Sequence, residues 1–138
     1  MDTPEFGLRI RTVVRENAAL DIRAGRFNLA RAQLDRVLAI TPRDPAAHLY
    51  YGDLYRIQAQ RARALPDKDT LVRRAIEEYN EAAQLDPAYP DPFRQLGFLY
   101  YQQNERGQAR EAFQTYLRLK PDAPDARRIK EYLLELDR

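Results

Sequence analysis

The feature that most constrains this chain is a spacing. Pro87 and Pro121 stand 34 residues apart, and the same offset separates Ala75 from Ala109, Tyr79 from Phe113 and Leu85 from Leu119. Four coincident offsets across one helix-length segment and its terminator describe a repeated unit. A unit of that length cannot bury its apolar face alone and must stack on copies of itself. The first half of the unit recurs at another offset: Gly52 and Gly97, Leu54 and Leu99, Tyr55 and Tyr100, and Pro42 and Pro87 are each 45 apart. The difference places an insertion of 11 residues between Gly52 and Ala75.

Local signals set helices around that spacing. Helices are expected at about 5 to 24, 27 to 41, 45 to 65, 69 to 86, 91 to 104, 106 to 120 and 124 to 137. Asp44 ahead of Pro45 and Asp91 ahead of Pro92 each set a capping carboxylate before a proline in the first turn, where the missing N–H costs little. Pro42, Pro87 and Pro121 end the preceding helices. Gly52, Gly97, Ala75 and Ala109 mark the closest helix approaches, and Tyr55, Tyr79, Tyr100 and Phe113 fill the space around them. On the last helix, Ile129, Tyr132, Leu133 and Leu136 form one apolar stripe, expected to cap the array with the other face in water. The same stripe could instead dock a second copy, giving a homodimer through the C-terminal helix.

The insertion should lengthen the middle hairpin. The stretch IQAQRARAL, residues 57 to 65, holds no glycine and continues the third helix. Pro66 then ends it, and Asp67 or Asp69 caps the fourth helix. Two extra turns on the third helix and one on the fourth use close to 11 residues at about 3.6 per turn, so both helices keep their facing. Arg56, Arg61, Arg63, Lys68, Arg73 and Arg74 outnumber Asp67 and Asp69 there, a local charge of +4. That is a projecting basic tip, suited to an acidic partner surface or, as a lesser alternative, to phosphate.

The run Phe93, Leu96, Gly97, Tyr100, Ala109, Phe113 and Pro121 resembles the tetratricopeptide repeat, W-x2-L-G-x2-Y, then A-x3-F, then P, with Phe93 in the tryptophan place. The preceding unit matches with His48, Tyr51, Gly52, Tyr55, Ala75, Tyr79, Ala82 and Pro87. The first unit is degenerate, with Ala18, Gly25, Phe27, Ala30, Leu34 and Pro42 in place and Asp21 where an aromatic is expected; terminal repeats commonly depart in this way. The resemblance covers residues 11 to 122. It implies an all-α, tetratricopeptide-like α-solenoid, a right-handed superhelical array forming one domain over residues 1 to 138. Its parts would be helix-turn-helix units at about 11 to 44, 45 to 88 with the insertion and 89 to 122, then a capping helix at about 124 to 137.

The resemblance further implies that the second, fifth, ninth, twelfth and thirteenth positions of each unit face a concave groove. The third unit would contribute Asp91, Arg94, Phe98, Tyr101 and Gln102. The second would contribute Ala46, Leu49, Asp53, Arg56 and Ile57, and the first Thr12, Arg15, Ala19, Ile22 and Arg23. Phe98 and Tyr101 beside Arg94 have the makings of a peptide hot spot. Chaperone-binding members of the family clamp a C-terminal carboxylate with Lys and Asn at the fifth and ninth positions of one unit, Asn at the sixth of the next, and Lys and Arg at the second and sixth of the third. Those places hold Arg15 and Ala19, Tyr50, then Asp91 and Gln95. The clamp is absent, so chaperone tails are disfavoured as partners.

Composition agrees by what it omits. Cys and Ser are absent and His48 is the only histidine, which removes most nucleophiles and nearly all transition-metal ligation. The five glycines are scattered, so no phosphate-cradling loop forms. No catalytic residue, metal or cofactor is expected, and the chain does not read as an enzyme. Lys and Arg total 23 against 21 Asp and Glu, a net charge of +2 without one dominant basic face, so nucleic acid is not the expected partner. No apolar run approaches the ~20 residues of a membrane span. Met1 to Gly7 carry no leader pattern, which implies a cytoplasmic protein if the chain is complete and leaves a periplasmic or envelope location open if it is an excised domain. The expected function is a noncatalytic adaptor or scaffold holding a peptide or protein segment in the groove. The alternative is a structural or regulatory part of a larger bacterial, envelope-associated protein; polyanion or RNA binding through the tip ranks third.

Overall fold

A computed structural model describes residues 4–138, with side chains described at Arg9 and from Arg11 onward. Met1–Thr3, the start of the segment read for a leader, lie outside the described residues. The described residues form seven helices and no strand: α1 (Pro4–Arg23), α2 (Phe27–Ile40), α3 (Pro45–Arg61), α4 (Leu65–Leu85), α5 (Pro90–Gln102), α6 (Arg106–Leu119) and α7 (Ala126–Leu136). The pairs α1–α2, α3–α4 and α5–α6 are hairpins, each closed by three residues. They stack in chain order: α3 packs on α1 and α2, α5 on α4, and α7 on α6. The result is an α-solenoid.

The second helix of every pair stops in the same way. Thr41, Asp86 and Lys120 follow α2, α4 and α6, each immediately before a proline, and each is extended, with φ/ψ of −131/85, −141/91 and −139/70. The proline ring excludes the helical region for the residue before it, which fixes these ends from sequence alone. The first and third hairpins also share a turn. Gly25 (φ 82) and Asn104 (φ 61) take the left-handed conformation. The next N–H closes back five residues, Arg26 to the Asp21 carbonyl at 2.8 Å and Glu105 to that of Tyr100 at 2.9 Å, which satisfies carbonyls left free at the helix end.

The helix starts are partly as expected. Asp44, only 4% exposed, accepts from the Ala47 N–H at 3.2 Å and caps α3. Asp91 does not cap α5: the helix begins at Pro90, Tyr89 is the cap residue without a side-chain bond, and Asp91 sits in the first turn. There its charge meets the positive end of the helix dipole instead.

The insertion divides between the helices in the opposite sense to the sequence expectation. α3 has 17 residues against 13 in its counterpart α5, four more, whereas α4 has 21 against 14 in α6, seven more. Pro66 therefore opens α4 from its first turn, with neither Asp67 nor Asp69 as cap, and α3 ends at Arg61. Proline is as well suited to a first turn as to a stop, and the run around Pro66 contains nothing else to decide between the two. Four and seven residues are close to one and two whole turns, so both helices keep their facing.

The core follows the small and large residues of the repeat. Tyr79 and Phe113 are fully buried, each with its ring over a glycine of the paired helix. A Cβ on Gly52 would fall within 3.0 Å of three Tyr79 atoms, and one on Gly97 within 3.0 Å of three Phe113 atoms. The stripe on α7 is spent inside the chain: Ile129 is 0% and Leu136 2% exposed, packed with Phe113 and Tyr116.

Candidate functional site

The first helices of the hairpins line a run of adjoining depressions along one face. Ala19, Ile22 and Arg23 of α1 border the first with Tyr50, Asp53, Arg56 and Ile57 of α3. Leu49, Tyr50 and Asp53 border the second with Asp91, Arg94 and Gln95 of α5. The third, of about 510 Å³, lies between α3 and α5 at their C-terminal ends. Arg56, Ala59 and Gln60 form one side and Lys68 and Val72 of α4 extend it. Arg94, Gln95, Phe98, Leu99 and Gln102 form the other side, and Arg128 of α7 closes it. Shared residues join the three: Tyr50 and Asp53 belong to the first two, Arg94 and Gln95 to the last two, and Arg56 to the first and third.

The polar groups of this face are held by bonds beneath it. Tyr79 donates to Asp53 Oδ1 at 2.5 Å, and Arg56 donates to the Tyr79 hydroxyl at 3.0 Å and to Asp53 at 3.4 Å. Burial pushes Asp53 above the usual carboxylate range against the bonds from Tyr79 and Arg56, and burial also raises Tyr79 well above an ordinary phenol. Arg94 Nε donates to Asp125 at 2.5 Å, and Tyr116 donates to the other oxygen of that carboxylate at 2.8 Å. Burial opposes ionisation of Asp125, yet the bonds from Arg94 and Tyr116 keep it below its ordinary value; burial and the Asp125 bond raise Tyr116 to about 12. Arg15 pairs with Asp44 at 2.6 Å and so joins α1 to the start of α3. Arg15 and Arg94, both expected at the groove, are thus tethered to the residue ahead of a later helix.

Of the residues assigned to the groove from sequence, all but Arg15 and Tyr101 border these depressions. Tyr101 packs edge-on against Tyr132 of α7 at 4.9 Å, and a hydrogen bond to Glu135 raises its phenol. Phe98 borders the third depression, but its ring also meets Phe113 at 5.1 Å and Tyr132 at 5.4 Å, and the guanidiniums of Arg94 and Arg128 lie 5.1 and 5.4 Å from its centroid.

The basic tip does not form one patch. Arg61 lies over the Phe27 ring at 5.3 Å and reaches the Gly25 turn, Arg74 lies over Tyr55 at 5.8 Å, and both border a separate cleft with Phe27 and Gln58. Lys68 faces the third depression, and Arg63 and Arg73 are exposed. The lengthened hairpin leans on the first hairpin through Arg61 and borders the groove through Lys68.

Tyr50, Gln60, Gln95 and Arg128 complete this face without having been assigned to it. The repeat spacing carried signals for three of them. Tyr50 and Gln95 hold the same sixth position of their units, and Arg128 lies 34 residues after Arg94, as Asp125 does after Asp91 and Tyr132 after Phe98. α7 therefore continues the pattern as the first helix of a fourth unit. Among the described residues no group of His, Asp or Glu could hold a metal ion, and no helix is long and apolar enough to cross a membrane.

Comparison with known proteins bears on this architecture. A sequence profile described as tetratricopeptide repeat matches residues 56–133. A search of curated proteins gave no match. Among solved structures, a thermophilic tetratricopeptide protein of Thermus thermophilus superposes with a TM-score of 0.75 at 21% identity, over 91% of this chain and 63% of that one. The chain thus spans less than two thirds of that relative. The type III secretion translocator chaperone SycD of Yersinia enterocolitica gives 0.73 at 13% identity, over 99% and 87%. The first tetratricopeptide domain of Spaghetti (RPAP3), solved with an HSP90 peptide, gives 0.73 at 14%, over 94% and 98%.

Proposed function

Since this chain belongs to the tetratricopeptide repeat family, we propose that it is a noncatalytic interaction module that holds a peptide or protein segment along the face formed by α1, α3 and α5. One observation carries the reading: three depressions share lining residues and run continuously across successive hairpins, the shape an extended segment needs. The structural likeness to a translocator chaperone and to a domain solved with an HSP90 peptide supports it. The lining does not favour chaperone tails, because the clamp positions hold Arg15, Ala19, Tyr50, Asp91 and Gln95. A homodimer through α7 has less support, since Ile129 and Leu136 are buried within the chain. Binding of a polyanion at the tip has less support as well, since Lys68 faces away from the cleft shared by Arg61 and Arg74.

The test is selection of peptides from a display library on the full chain, followed by fluorescence anisotropy with two tryptophan variants. Gln95→Trp fills the junction of two depressions without changing charge, whereas Gln114→Trp alters the exposed side of α6. Selected peptides should bind Gln95→Trp about tenfold more weakly, a loss of ~1.4 kcal/mol, and Gln114→Trp unchanged. Failure to select any peptide, or a greater loss with Gln114→Trp, overturns the proposal.

A further inference from the structure

We propose that the lengthened α3–α4 hairpin is a wall of the groove, and that the cavity it completes receives carboxylate side chains, so that the bound segment is an acidic peptide. This rests on the groove reading above and names its ligand class.

The cavity exists because of the insertion. Gln60 lies on the extra turn of α3 and Lys68 on the extra turns of α4, both outside the 34-residue pattern. Without them the side facing α5 would be open. Four cations border the space, Arg56, Lys68, Arg94 and Arg128, and no carboxylate does. Asp53 and Asp125 lie behind two of them, which leaves a surplus of two positive charges facing the cavity.

Three of the four are ordered in advance. Arg56 is fixed by Tyr79 and Asp53, Arg94 by Asp125, and Arg128 lies over the Phe98 ring. Side chains already held in place lose less entropy when a ligand arrives. A guanidinium presents further N–H groups in a planar fork that matches a carboxylate, and such charge-assisted bonds are the stronger kind. Lys68 makes no ion pair among those found in the described residues and adds an unneutralised charge at the rim.

Single-stranded nucleic acid fits this cavity poorly. Its bases need open aromatic faces for stacking. Phe98 is the only aromatic residue lining the cavity, and Arg94 and Arg128 already lie within stacking range of its ring.

Binding to the full chain is measured by anisotropy with fluorescein-labelled, C-terminally amidated decapeptides of alternating Glu and Leu and with their Gln counterparts, alongside a ten-nucleotide uridine RNA. Amidation removes the terminal carboxylate, so only side chains are read. The Glu peptide should bind about tenfold more tightly than the Gln peptide, and Lys68→Glu should remove most of that difference. Helicity by circular dichroism should be unchanged in Lys68→Glu, because Lys68 is exposed. Equal binding of Glu and Gln peptides overturns the carboxylate site while the groove reading stands; no binding of either overturns both. A Glu preference that persists in Lys68→Glu overturns the role of the extension. Tighter binding of the RNA than of the Glu peptide overturns the assignment to acidic peptides.

Discussion

His48 ties three segments together. Its Nδ1 lies 2.8 Å from Glu78 on α4 and its Nε2 3.2 Å from the Pro42 carbonyl. Both partners are acceptors, so only the imidazolium, with two N–H groups, satisfies both. The Glu78 bond raises the His48 pKa against the opposing effect of burial, and the Pro42 carbonyl adds to the rise. A pKa higher in the folded than in the unfolded chain gives stability that is fully present below the unfolded value of about 6.5 and is lost as pH rises through the folded value. Thermal unfolding of wild type and His48→Gln between about pH 5.5 and 8.5 should therefore show the largest difference in Tm at the acid end, shrinking with pH; a constant difference contradicts the assignment. Asn104 carries a different constraint, a left-handed backbone at φ 61. Asn104→Ala should cost ~1–2 kcal/mol in denaturant unfolding, whereas Asn104→Gly should cost nothing, and equal losses would mean that the backbone geometry is not responsible. Gly25 signals that conformation in the sequence, whereas Asn104 does not.

At the scale of the helix, what could be read in advance was whatever a residue's own chemistry dictates. Prolines after Thr41, Asp86 and Lys120 forced three helix ends, and the glycines facing Tyr79 and Phe113 fixed the hairpin packing. Pro66 admits two roles, and the turn it belongs to was misplaced because no glycine or cap marks it. Groove positions were legible where they follow from the face of a helix within its unit, as with Asp53, Arg56 and Arg94. They were not legible where packing between elements decides. Nothing local to Tyr101 announces Tyr132, and nothing in Lys68 announces the opposite wall. The packing claim has its own test. Gly97→Ala should lose ~1–3 kcal/mol by overpacking, and Phe113→Leu should cost less in the Gly97→Ala background than alone, measured as a double-mutant cycle by denaturant unfolding; strict additivity would mean that the ring and the glycine do not compete for space.

Across the whole molecule, stability is a sum over neighbours, because each hairpin touches only those beside it. The two ends differ. α7 covers the last hairpin with the buried Ile129 and Leu136, while α1 leaves Val13 54% and Leu20 55% exposed with nothing stacked beyond it among the described residues. Amide exchange should therefore be fastest in α1 and slowest in α3 to α6, and equal protection from α1 to α7 would contradict neighbour-by-neighbour stability. The same linear arrangement makes the groove one continuous face, bordered by the first helix of each hairpin, by Lys68 and by the helix that begins a fourth unit. The most direct test is a ¹⁵N–¹H chemical-shift titration of the full chain with the amidated Glu-Leu decapeptide. The predicted result is a set of saturable shifts along α1, α3 and α5 that includes Tyr50, Asp53, Gln95, Lys68 and Arg128 and leaves the exposed sides of α2 and α6 unmoved. Shifts centred on α2 and α6, or none at saturating peptide, would contradict it.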